Sequence, residues 1–459
     1  MTETAAGFAQ EKWWAAHRAD PNTAIGNVPR AWELTGPLRS DLLADSLSVL
    51  AQRHEALRSC LAQRGDRLVQ VIEPALTVDL PVVDLRMVEP SERLALAQSL
   101  VVDEISAPFD LTRAPLLRGR LLRLDEARHV LVVTVSHSIA DRWSFGVLLS
   151  ELFVVYGALS RGEPPQLEPV RQYREFTDWQ NGWRENEELR RKFDQWVRYL
   201  SDVDPTLRLP VRKERSTVAL DRVTMCPLIL RPERWRRIAE VGRQERVPPY
   251  AVLMAALCVC LGPYASGGDL LFGMVHGTRR RPWTMGVVGL LVNDVWVRIH
   301  VGDNPTVRQL IERSWAEIRF AVRNGDFPSE EVARSLGMGD GPGQRPYWEA
   351  WMNLVSHETE VAPTLPREGL TVGDFPADLN APFRDVVEQG WDKVLLRIRL
   401  GTARDEGAYG SIAFNAEILE GAVVEDLARR LCAVVDGLPG TLSSRMASLV
   451  TEPGPGAGA

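Results

Sequence analysis

The amino-acid sequence predicts an α/β protein made of two α+β sandwich lobes. At 459 residues the chain exceeds what one hydrophobic core usually supports, so two domains of about 200 residues each are expected. Strand-like and helix-like patterns are mixed in both halves, which suits sheets covered by helices. No periodic repeat interrupts the pattern. The first lobe is expected over residues 1–175 and the second over 176–452, with 453–459 a disordered tail.

In the first half, Gly7–His17 reads as a short amphipathic helix carrying Trp13 and Trp14, and Trp32–Leu34 as a strand. Leu38–Arg53 is a helix with Leu42, Leu43, Leu47 and Leu50 inward. Arg67–Ile72 and Thr77–Asp84 are strand-like, Glu92–Ile105 is helical, and Arg118–Leu124 is a strand. That strand forms a hairpin with the next through the polar turn Asp125-Glu126-Ala127-Arg128. Tyr173–Leu200, charged and interspersed with Trp179, Trp183 and Trp196, reads as a helical connector. The second half follows with strand Thr224–Leu230, helices Arg234–Arg246 and Ala251–Leu261, and strand Asp269–Val275. An extended run Gly289–Ile299 and helix Thr306–Val322 come next, then a mobile glycine-rich run from Gly337 to Gly343. Strand signals at Trp351–Leu354, Val394–Leu400 and Gly410–Asn415 precede a last helix, Val424–Val435.

Residues 129–150, HVLVVTVSHSIADRWSFGVLLS, organise the rest. His129–Val135 is an apolar, Val-rich run of strand length without Pro or Gly, the pattern of a strand buried on both faces. From Asp141 the period becomes helical, with Phe145, Leu148, Leu149, Leu152, Phe153 and Tyr156 on one stripe. Between them, Ser136-His137-Ser138-Ile139-Ala140-Asp141 presents polar side chains where a buried strand hands over to a helix. His137 is the side-chain type able to accept and return a proton near neutral pH. Asp141, four residues on, either orients His137, pairs with a distant Arg, or simply starts a helix.

Composition narrows the function. A net charge of -7 argues against nucleic-acid binding as the main role. The five cysteines, Cys60, Cys226, Cys258, Cys260 and Cys432, are odd in number and lack metal-ligand spacing, so no metal site and a reducing cytoplasm are expected. No signal peptide is read at the start, and apolar stretches such as Ala251–Leu261 are too short to span a membrane. There is no P-loop and no G-x-G-x-x-G.

Six ordered blocks carry a resemblance: Arg53-His54-Glu55-Ala56-Leu57-Arg58, Pro115-Leu116-Leu117-Arg118 leading to the His137 stretch, and Tyr173 to Gln180. Asp269 through Gly273 to Arg279, Val288 to Asn293 closing at Arg298, and Arg323 to Pro328 complete the set. Together they resemble the condensation domains of nonribosomal peptide synthetases, in the chloramphenicol acetyltransferase-like superfamily, over nearly the whole chain. The resemblance implies two such lobes in a V with a central tunnel, and a floor loop and latch supplied by the second. It implies that His137 is catalytic, and that Asp141 is structural, paired with Arg279. The family motif HHxxxDG reads here Ser136-His137 to Asp141-Arg142, so Ser136 replaces the first His and Arg142 the Gly. Arg142 either occludes a channel, binds an acidic substrate group, or points to solvent. Ser138, Trp143, Ser144 and Asn293 are candidates for the tunnel or the acceptor side, each with a turn, cap or loop role as its alternative.

The activity implied is that of a free-standing condensation enzyme. It would join an acyl thioester on the 4'-phosphopantetheine arm of a carrier protein, supplied in trans, to a small amine or alcohol, with no bound cofactor. Two other readings stand beside it: a catalytically degenerate relative that recruits a carrier protein or tailoring enzyme, and an acyl-CoA-dependent acyltransferase. Acidic carriers would meet Arg279, Arg280 and Arg281, or the basic helix from Arg231 to Arg246, unless these are plain solvated faces.

Overall fold

The structure, a computed structural model, describes residues 1–213, 223–339, 348–355, 369–377, 394–402 and 407–449. The tail at 453–459 and most of the glycine-rich run after Gly339 lie outside the described residues. Chain contacts divide the protein into two compact units, one of residues 1–183, 279–292 and 360–387, the other of the remainder.

The first unit begins with β1 (Thr2–Ala5), α1 (Phe8–Ala19), β2 (Asn27–Thr35), α2 (Ser40–Arg53), β3 (Ser59–Arg64), β4 (Arg67–Ile72) and β5 (Val82–Asp84). It continues with α3 (Pro90–Ser106), β6 (Leu117–Arg123), β7 (Arg128–Ser136), α4 (Arg142–Ser160) and α5 (Tyr173–Asn181). The second holds α6 (Glu187–Leu200), β8 (Val223–Leu230), α7 (Pro232–Glu245), α8 (Pro249–Leu261), β9 (Asp269–Gly277) and β10 (Val292–His300). α9 (Val307–Asn324), α10 (Ser329–Ser335) and β11 (Ala350–Val355) follow; β12 (Thr371–Asp374) belongs to the first unit, and β13 (Leu396–Thr402), β14 (Ala408–Asn415), α11 (Gly421–Thr441) and α12 (Met446–Leu449) to the second.

In the first unit β7 sits mid-sheet in the order β12-β2-β7-β6-β5, antiparallel to both neighbours. Its alternating side chains explain the unbroken apolar run. Val130 and Val132 pack with Val101 and Ile105 of α3 on one face. On the other, Val133 packs with Leu47 and Leu50 of α2 and Phe145, Leu148 and Leu152 of α4. Burying each Val or Leu stabilises by about 1.5–3 kcal/mol, so both faces hold β7 rigid up to Ser136. A second sheet, β1-β4-β3, lies in the same unit. The second unit is built on the sheet β10-β9-β11-β13-β14-β8, with α7, α8, α9 and α11 packed together.

Several boundaries differ from the sequence expectation. The Thr77–Asp84 strand shrinks to β5, because Pro81 has no N–H for the ladder and offers only its carbonyl, to Leu121 N–H at 2.9 Å. The Tyr173–Leu200 connector breaks into α5, a short turn at Gly182–Arg184, and α6. Asn186 caps α6, its side chain accepting from Glu188 N–H at 3.0 Å. Only Val292 onward of Gly289–Ile299 is strand. At 19 residues α4 is long and apolar enough to cross a membrane by length and composition, longer than the Ala251–Leu261 stretch, yet its stripe lies on α2 and the sheet.

Candidate active site

His137 follows the last residue of β7, and its position is set at the backbone and at the ring. Its N–H donates to Gly26 O at 2.6 Å, extending the antiparallel pairing with β2 by one residue. Its Nδ1 lies 2.9 Å from the carbonyl of Ala140, which only accepts, so Nδ1 carries the proton and Nε2 the lone pair. The side chain is half-buried, and burial is the main cause that holds its pKa below the usual imidazole value. A neutral ring with a free Nε2 is chemically a proton acceptor.

The neighbouring serines face inward. Ser136 and Ser138 are buried with their hydroxyls 2.8 Å apart, and the Ser138 carbonyl accepts from the Gln10 amide at 2.8 Å. Ser138 therefore stabilises the loop from beneath. Arg142 is the first residue of α4 and is exposed; Trp143, 37% exposed, donates Nε1–H to Met285 O at 2.8 Å.

Asp141 caps α4, taking Ser144 N–H at 2.8 Å on Oδ1. The same carboxylate meets Arg279 at 2.9 and 3.1 Å and accepts Leu291 N–H at 3.1 Å. Only 2% of the Asp141 side chain and 5% of that of Arg279 are exposed. Arg279 completes its contacts on the carbonyls of Thr284 and Val287, at 2.7 and 2.6 Å. Ser144, fully buried, donates to Asp141 at 2.8 Å and takes Gly289 N–H at 3.1 Å. Asp141, Ser144 and Arg279 thus form one buried network tying the start of α4 to residues 284–291. The hydroxyl of Ser144 and the guanidinium of Arg279 are directed at Asp141 and at backbone carbonyls, not at His137.

Gly289 and Tyr173 form a close packing contact that spacing alone does not single out. Tyr173 O–H donates to Leu290 O at 3.1 Å, and a β-carbon at Gly289 would lie 2.2 Å from Tyr173 Cδ2. The ring thus requires bare backbone there. Gly289→Ala is expected to destabilise by about 1–3 kcal/mol, as overpacking does, read as a lower urea midpoint at unchanged slope.

In the second unit Asn293 sits on β10. Its Nδ2 donates to the carbonyls of Gly325, at 3.0 Å, and Phe327, and its Oδ1 accepts from Ser329 Oγ at 2.9 Å. Every polar atom of its side chain thus braces the turn that contains the Arg323–Pro328 block. Asp269, from an earlier block, and Arg298, which closes the block of Asn293, pair at 2.6 Å.

The family model described as "Condensation domain" matches residues 2–358. The chain belongs to the condensation-domain family. This condensation domain is 31% identical over 97% of its length to chondramide synthase of Chondromyces crocatus, covering 11% of that protein. It is 29% identical over 92% of its length to a linear gramicidin synthase of Brevibacillus parabrevis, covering 5% of it. The domain thus spans a small fraction of these relatives. Its fold is that of a solved complex of the X-domain and OxyB from teicoplanin biosynthesis, with a TM-score of 0.78, 22% identity and coverage of 99% and 97% of the two chains. It also matches the first condensation domain of the calcium-dependent antibiotic synthetase bound to a substrate analogue, with a TM-score of 0.71, 18% identity and coverage of 98% and 100%. Condensation domains of nonribosomal peptide synthetases are acyl and peptidyl transferases that form amide bonds and act on substrates held on carrier proteins.

Proposed function

We propose that this domain is an active condensation catalyst in which His137 accepts the proton of the attacking nucleophile. The lone pair of an amine or hydroxyl adds to the carbonyl carbon of a carrier-bound thioester. The tetrahedral intermediate collapses with cleavage of the C–S bond, and the proton held on Nε2 of His137 passes to the departing thiolate. The observation that carries this reading is the His137–Ala140 hydrogen bond, which leaves Nε2 unprotonated and available. Burial supports it by keeping the ring neutral at pH 7. Asp141, Ser144 and Arg279 act at a distance, by holding the loop that carries His137. Asn293 acts on its own turn.

The replacement of the family's first His by Ser136 and its Gly by Arg142 favours a second reading, a domain that binds a carrier or tailoring enzyme without catalysis. Retention of His137, Asp141 and Arg279 weighs against it. A carrier would meet Arg280 and Arg281 rather than Arg279, whose guanidinium is buried.

The test is incubation with an acyl-loaded carrier protein and a panel of amines and alcohols, followed by mass spectrometry of the carrier and of the products. Loss of the acyl group with appearance of an amide or ester is expected, and the productive acceptor names the bond. Binding of the carrier without product from any acceptor transfers the assignment to recruitment. Turnover of acyl-CoA in place of the loaded carrier transfers it to a coenzyme A-dependent acyltransferase.

A further inference from the structure

We propose that helix α1 belongs to the proton-transfer site, with Trp13 a positioning residue that holds the His137 imidazole. The inference rests on the reading of His137 as proton acceptor. Trp13 is only 7% exposed and its indole lies against the imidazole, the ring centroids 4.9 Å apart with an interplanar angle of 30°. That distance is a direct aromatic contact. One residue serves both partners: the Gly26 carbonyl takes His137 N–H, and a β-carbon on Gly26 would lie 3.2 Å from Trp13 Cε3.

The helix is also fastened to the loop itself. Gln10, one turn before Trp13, donates to the Ser138 carbonyl at 2.8 Å, while its amide oxygen takes Gly7 N–H at 2.9 Å. A shift of α1 therefore moves the floor of the His137 loop and the indole together. With Nδ1 committed to Ala140 and the indole against the ring, Nε2 is left as the reactive edge.

Three charged groups bear on this ring. Lys12, on α1, disfavours a second positive charge; Asp141, at the start of α4, favours it, as does the Ala140 carbonyl; and Arg279 offsets Asp141 by pairing with it. Burial is the largest influence and acts in the same direction as Lys12. An indole can also attract an imidazolium, by about 0.5–1 kcal/mol at exposed sites. Loss of water is the largest influence on His137 and sets the direction of its shift.

The experiment is an NMR titration of the full chain labelled at the histidine Cε1 carbons, with His137 assigned from the signal missing in His137→Gln. In Trp13→Ala the His137 midpoint is expected to rise by about 0.5–1 pH unit. Trp13→Phe, which restores a ring, should return it to within about 0.2 of the parent. In the condensation assay Trp13→Ala should lower kcat about tenfold with KM nearly unchanged. A midpoint that stays or falls in Trp13→Ala overturns the proposal. Should that variant fail to fold, the absence of a nuclear Overhauser contact between the Trp13 indole and the His137 ring in the parent protein overturns it instead. Failure of the underlying reading looks different: His137→Ala would turn over normally whatever the midpoints do.

Discussion

A His137→Ala protein is expected to lose about 10²–10⁴-fold in kcat with little change in KM, the usual contribution of a positioned proton acceptor. The imidazole is fixed through Gly26, Ala140 and Trp13, none of which the substitution removes. The loop should therefore keep its shape while only the proton acceptor is lost. pH dependence separates this role from simple space-filling. The ring must be neutral to accept a proton, and its folded pKa is lowered, so activity rises with pH through a midpoint below the ordinary imidazole value and persists into mildly acidic solution. His137→Gln, which keeps a hydrogen-bonding side chain but no base, should flatten that limb as well as lower the plateau. Initial rates of product formation between pH 5 and 9 check both. A parent-like limb in His137→Gln would assign the titration, and with it the base, to another group.

What was legible in the sequence follows the range over which each feature is decided. β7 was readable because both its faces are buried, which forces a continuous apolar run. The start of α4 was readable from the change of period at Asp141, since that residue caps the helix from its own neighbourhood. β12 was not, because Thr371–Asp374 is a four-residue edge strand whose pairing with Trp32–Thr35 is decided across more than 300 positions. Within the site, the spacing of His137 and Asp141 was visible, and the partner Arg279 followed from family resemblance. Their division of labour was not. The sequence leaves Ser138 and Ser144 open between a place in the tunnel and a turn or cap role, and both hydroxyls face buried partners contributed by Ser136 and by residues 141 and 289. Trp13 read as one aromatic residue of an amphipathic helix. Its contact with a ring 124 positions later has no local sign in the sequence.

Removing one member of the Asp141–Arg279 pair is expected to destabilise the protein by about 3–5 kcal/mol, the range for breaking a buried ion pair. In Arg279→Met the carboxylate keeps the N–H groups of Ser144 and Leu291 but loses its counter-charge at a site from which water is excluded. In Asp141→Leu the guanidinium keeps the carbonyls of Thr284 and Val287, and α4 additionally loses its cap, worth about 1 kcal/mol. The two changes therefore should not add. The Asp141→Leu/Arg279→Met protein, with no buried charge left unpaired, should lie several kcal/mol above the sum of the single losses. Urea unfolding of the four proteins measures this coupling. Additive losses would show that water reaches the pair and that each charge is solvated by itself. A strong coupling, together with a fall in kcat in the single variants that tracks the displacement of the His137 NMR signals, is the outcome expected if the pair acts on chemistry only by holding the loop between β7 and α4.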